Sequence, residues 1–149
     1  MIKFRTRYLP LLTSVLLLCI APQLSAHHAF SAEFDAETPV TLRGKVIRIE
    51  WINPHAWIHI AVVLEDGSTT EWMIEGGTPN SLMRTGINRK SLAIGTSIVV
   101  MGYQSKDKNC KPRCKANGRD MTFEDGQKLF MGSSGTGAPT DGSDPKDDR

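Results

Sequence analysis

The chain has 149 residues and a formal net charge of +2, with 40% hydrophobic and 23% charged residues. That length allows one ordinary domain with a real core. The near-balanced charge gives no global pull toward nucleic acid.

Residues 1–26 have the pattern of a secretory signal peptide. Lys3, Arg5 and Arg7 form a positive start, followed by the apolar run "LPLLTSVLLLCIA". That run is shorter than the ~20 residues a membrane helix needs, and the helix-breaking Pro22 follows it. "PQLSA" places Leu24 and Ala26 at the third and first positions before a cut between Ala26 and His27. Cys19 follows Leu18 rather than the small residue a lipoprotein site requires, so it belongs to the discarded segment. Cleavage predicts a periplasmic or secreted protein with no stable membrane span. Lys3, Arg5 and Arg7 are the segment's only charged residues, so +2 becomes −1 on their removal. On that balance nucleic acid is excluded as a partner.

Residues 27–38 read as an irregular N-terminal arm, and residues 39–131 as the folded domain. "TLRGKVIRIEW" alternates with a slipped phase: Leu42 and Val46 share one parity, Ile47, Ile49 and Trp51 the other. Gly44 just before the slip predicts a bulge or bend in a long first strand. Asn53-Pro54 breaks it. The second strand, "AWIHIAVVL", sends Ala56, Ile58, Ile60, Val62 and Leu64 toward the core, and His55, Trp57, His59 and Ala61 outward. Asp66-Gly67 supplies a hairpin turn, and "TTEWMIE" a third strand. Thr78 as N-cap, Pro79 at the first position and Gly86 at the stop predict a short helix. "SIVVMGY" is a fourth strand. "QSKDKNCKPRCKANG" reads as a polar loop, and "RDMTF", "EDG" and "QKLFM" as a closing hairpin. Residues 132–149 carry almost no apolar side chain and are expected to be disordered.

This order predicts an all-β fold: a small five- to six-stranded OB-like barrel with one short helix between strands 3 and 4. An open sandwich or meander sheet is the alternative. Cys110 and Cys114 remain after cleavage, and an oxidising compartment points to a disulfide between them. A metal site would want four ligands, and a redox pair the two-residue spacing.

The motifs "HHAFSAEFD", "VTLRGKVIRIEWINPHAWIHI", "EWMIEGGTPNSLMRTG" and "NGRDMTFEDGQKLFMGSS" together resemble a family of small exported bacterial proteins, domain-of-unknown-function family 6152. The resemblance runs from about His27 to Ser134. Its most specific marks are the run from Glu50 to Trp57 and the double histidine. It implies an exported all-β domain and assigns no catalytic residue. The loop "KDKNCKPRCK" departs from the family's pattern.

A cut after Ala26 would make His27 the N-terminus, offering its α-amine and imidazole together. Nitrogen ligands of this kind suit Cu(II). His28 offers a second chelate through the intervening amide, and His55, at a strand end, a third imidazole. His55 and His59 lie about 13 Å apart along one strand and do not form a pair on one ion. The plainer expectation is that terminal histidines do nothing specific and that His59 is solvated or partly packed. Trp57, between His55 and His59, is a candidate stacking platform for a glycan, small ligand or protein partner, or else a residue packed under Phe30 or Phe34 of the arm. Glu33, Asp35 and Glu37, like Glu71 and Glu75, are neighbouring carboxylates without a convergent third group. "EGGTPN" has only a loop-scale likeness to an anion nest. No Ser–His nucleophile motif, phosphate loop or zinc-protease helix is present. The sequence therefore predicts a non-enzymatic ligand- or partner-binding module, with a periplasmic copper-binding protein and an enzyme of unknown reaction as alternatives.

Overall fold

The long first strand organises the sheet. The computed structural model describes residues 27–132, and the side chains from residue 30 onward. The expected signal peptide, the tail beyond residue 132 and the side chains of His27 and His28 therefore lie outside the described residues. β1 (Phe34–Glu50) pairs antiparallel with β4 (Ser97–Ser105) through its first half, ending at Lys45↔Ser97. Its second half pairs antiparallel with β2 (Trp57–Val63), beginning at Lys45↔Ala61. Lys45 thus belongs to both ladders. A Cβ on the adjacent Gly44 would lie 2.5 Å from the Ala61 carbonyl oxygen, so only glycine lets β2 come this close. The β1–β2 register shifts between Val46 and Arg48. That bulge falls at the slip in alternation.

β2 turns into β3 (Thr69–Glu75) through Asp66-Gly67-Ser68. Gly67 takes φ +79°, and Asp66 Oδ1 accepts from the Ser68 amide at 2.9 Å. Among the described residues two short helices are present: α1 (His27–Glu33) before β1, and α2 (Pro79–Arg84) between β3 and β4. Thr78 caps α2, its Oγ1 accepting from the Ser81 amide at 3.1 Å, and Gly86 ends it at φ +97°. β5 (Cys114–Phe123) pairs antiparallel with β4 and parallel with β3, from Trp72↔Cys114 to Glu75↔Asn117. β6 (Lys128–Phe130) completes a hairpin with β5. The result is a mostly β protein in which every pairing but β3–β5 is antiparallel. Val46, Ile58, Ile60, Ile74, Leu82 and Met121 fill the core at 1% exposure or less.

Three expectations are corrected. The arm is not irregular: α1 leads into β1 at Phe34, so the described residues hold a helix besides the expected one. Burial explains the order. Phe30 and Phe34 are buried, with ring centroids 5.7 Å apart, and Phe30 packs edge-on against Tyr103 at 5.6 Å. The Lys106 amide then ties the arm down by donating to the Glu33 carbonyl at 2.9 Å. The polar loop is shorter than expected, because β4 reaches Ser105 and β5 begins at Cys114. Cys114 and Ala116 point inward between β3 and β4, an alternation too short to stand out among charged neighbours. Finally, the second strand's inward row ends early: Leu64 is 43% exposed.

Candidate functional site

Ile58, Ile60 and Ile74 face the core, so the residues between them face outward across β1, β2, β3 and β5. Register sets Glu50, Trp57, Glu75 and Asn117 in one row, and Arg48, His59, Met73 and Lys115 in the next. Ala61 pairs with Glu71 one row further on. Cys110 and Cys114 are joined by a disulfide, whose loop brings Arg113 to this face.

His59 lies on the outward face yet is 0% exposed. Its Nδ1 is 2.8 Å from Glu71 Oε1 and its Nε2 3.2 Å from Glu50 Oε1. Arg48 Nη2 lies 3.2 and 3.1 Å from the two ring nitrogens, a position along neither lone pair. Each carboxylate also holds an arginine: Arg48 Nη1 sits 2.7 Å from Glu50 Oε1, and Arg113 Nε 3.2 Å from Glu71 Oε1. The expectation that His59 is solvated is thus corrected, while its packed alternative holds, with burial complete. β1, β3 and the disulfide loop bring charged partners over it, and linear spacing does not show that convergence.

His55 occupies a separate cluster. Its Nδ1 contacts Oε1 of the buried Glu75. Burial pushes the Glu75 carboxyl above its ordinary pKa; His55 pulls it down, Glu33 adds to the rise, and Asn117 and Lys115 oppose it. Lys115 Nζ lies 3.0 Å from Glu33 Oε1 and 5.8 Å from the Trp57 ring centroid. Trp57 is half-buried. The ring contacts of Phe30 are with Phe34 and Tyr103, not with Trp57. His55 and His59 face different carboxylates and share no site. Among the described residues, no three His, Cys, Asp or Glu side chains are placed to hold one metal ion. The paired glycines form no anion nest, because Gly76 and Gly77 donate their amides to the Ala56 and Met131 carbonyls, each at 2.8 Å. Sequence inspection noted that Glu71 and Glu75 share a face. It missed that each meets a histidine of β2 or its approach, which the β2–β3 register alone could have suggested.

Fold and site together define a small, mostly β domain whose outward β1–β2–β3 face carries charges largely paired with one another. The chain belongs to a family of unknown function, DUF6152, which it matches over residues 15–113. The match begins inside the expected signal peptide and ends at Arg113, before β5. No curated protein matches the chain. Among solved structures, the chain is similar to the mitochondrial single-stranded DNA binding protein Rim1 of S. cerevisiae. The identity is 11% with a TM-score of 0.44, over 64% of this chain and 96% of that one. It is also similar to the N-terminal domain of PriB from Thermoanaerobacter tencongensis, at 22% identity and a TM-score of 0.39, over 58% of this chain and 96% of that one. With a single-stranded DNA binding protein among these similar structures, the exclusion of nucleic acid drawn from net charge is corrected and withdrawn. No helix among the described residues is long and apolar enough to cross a membrane.

Proposed function

We propose that the protein is an exported OB-like barrel that binds a ligand or partner on its outer β2–β3 face, without catalysis. The parallel β3–β5 pairing supports closure, since it carries the ladder from β1 through β2, β3, β5 and β4 back to β1. In OB folds the strand 2–3 face and the loops between strands 1 and 2 and strands 4 and 5 form the binding surface. The observation that carries the reading is the match to that layout. The turn holding His55 and the disulfide loop holding Arg113 flank the half-buried Trp57. Export is supported by the charged–apolar–small pattern of residues 1–26 and by the disulfide. The non-enzymatic reading is supported by His59, which is fully buried between its two carboxylate partners.

The test is tryptophan fluorescence against oligosaccharides, peptides and single-stranded oligonucleotides, comparing the native chain with Trp57→Ala. Saturable binding lost in the variant is expected. Binding that Trp57→Ala leaves intact would place the ligand elsewhere. Copper is the second reading, favoured by the predicted cut that frees the His27 amine. It requires an intact mass beginning at His27 and Cu(II) affinity that an added N-terminal alanine abolishes.

A further inference from the structure

Two open grooves meet at Trp51, at the end of the sheet capped by α2. One, of about 480 Å³, runs between Trp51, Met83, Arg89 and Lys90. The other, of about 180 Å³, runs from Trp51 and Arg89 to Ile94. Trp51 packs against the core, and the Arg89 guanidinium lies 5.8 Å from its ring centroid. Around this anchor Ile52 is 52% exposed, Met83 54% and Ile94 78%. Exposed large apolar side chains gathered at one end mark an interaction surface.

The charge at this end is one-sided. Residues 76–96 contain Arg84, Arg89 and Lys90 and no Asp or Glu. Among the described residues no ion pair joins any of these three cations to a carboxylate. We infer that this end docks on an anionic lipid surface. Ile52, Met83 and Ile94 enter the boundary between headgroups and acyl chains, Trp51 lies at headgroup level, and the three cations meet lipid phosphates. The apolar side chains come from three segments: the turn after β1, the end of α2 and the loop before β4. A folded acidic partner would need a matching pocket for each, while a fluid interface accepts all three. This surface is separate from the β2–β3 face, so the two assignments stand or fall independently.

The experiment incubates the chain, as recovered from cells expressing the full sequence, with phosphatidylcholine vesicles with and without phosphatidylglycerol, and measures co-sedimentation. Binding to the anionic vesicles is expected, with release as salt rises and the screening length shrinks. Each cation contributes roughly fivefold in affinity. Arg89→Gln should therefore weaken binding by about that factor, and the triple change of Arg84, Arg89 and Lys90 to Gln by roughly a hundredfold. Met83→Asp with Ile94→Asp should abolish the preference for anionic vesicles. All these positions are exposed, so thermal melting by circular dichroism should not move. Equal binding to neutral and anionic vesicles, or variants that bind like the native chain, would overturn the inference. So would a single-stranded oligonucleotide or acidic peptide that occupies the three cations while vesicles are ignored.

Discussion

The outer face of β1, β2 and β3 and the end of the sheet around Trp51 are both rich in arginine, yet they use it in opposite ways. On the outer face Arg48 and Arg113 are each held by a carboxylate that also meets His59. At the Trp51 end Arg84, Arg89 and Lys90 lie near exposed apolar side chains, in a segment, residues 76–96, that contains no acid. Charges satisfied inside the molecule can fix how its strands and loops sit together. Charges left unsatisfied beside apolar surface are available to something outside. The two regions therefore differ in what a mutation should break: stability in the first, association in the second.

The widest separation should come from His59. Truncation to alanine leaves a cavity at a fully buried site and strips one partner from both Glu50 and Glu71. We expect a loss of about 3 kcal/mol in urea denaturation. The matching change at the other end, Ile94→Ala, should stay within about 0.5 kcal/mol, because that side chain is 78% exposed. A His59→Ala protein of near-native stability would erase the distinction. Next in size is the disulfide. Serine at both Cys110 and Cys114 opens a loop of sequence separation 4, which the chain-entropy relation puts at about 2 kcal/mol. The same change loosens Arg113 from Glu71, so part of the loss should disappear in an Arg113→Ala background. Full additivity would mean that the loop and the ion pair act separately.

How much of this was legible beforehand follows the same division. The β2 alternation, the Thr78-Pro79 helix start and the Asp66-Gly67 turn are local signals, and the structure carries each of them. The bulge was legible too, from the phase slip between Val46 and Ile47. Neither the start of β5 at Cys114 nor the order of α1 was. Both depend on partners distant in sequence: β3 for Cys114, and Tyr103 for Phe30. His59 is the sharpest case. Its outward parity is legible and packing is one of its two expected states, but complete burial is not legible. The β2–β3 hairpin could have placed Glu71 beside it, but Glu50 and Arg113 close over it through a register and a loop that the sequence does not show.

Glu75 gives a pH test of the paired face. Burial raises its carboxyl pKa, so its favourable contribution is complete below the unfolded value of a glutamate. That contribution is lost as pH rises through the folded value. Replacing Glu75 by Gln removes the titration. The stability of the native chain relative to Glu75→Gln should therefore fall as pH increases through the raised pKa. A native advantage that grows over that interval would reverse the sign and show that His55 outweighs burial.

The smallest effects belong to the rim of that cluster, where Lys115 and Glu33 form an ion pair with both side chains more than 40% exposed. A pair so open to water should couple by about 0.5 kcal/mol or less in a double-mutant cycle, and by less again at high salt. Its influence on Glu75 gives a cleaner readout, because the two partners act in opposite senses. Lys115 lowers the Glu75 carboxyl and Glu33 raises it. Lys115→Ala should shift the Glu75 titration up, and Glu33→Gln should shift it down, each followed by carboxyl-carbon NMR. A shift in the same direction for both would mean that α1 acts on Glu75 by covering it rather than by its charge. Since α1 is held by buried Phe30 and Phe34 rather than by this ion pair, the charge account predicts that Glu33→Gln leaves the helix in place.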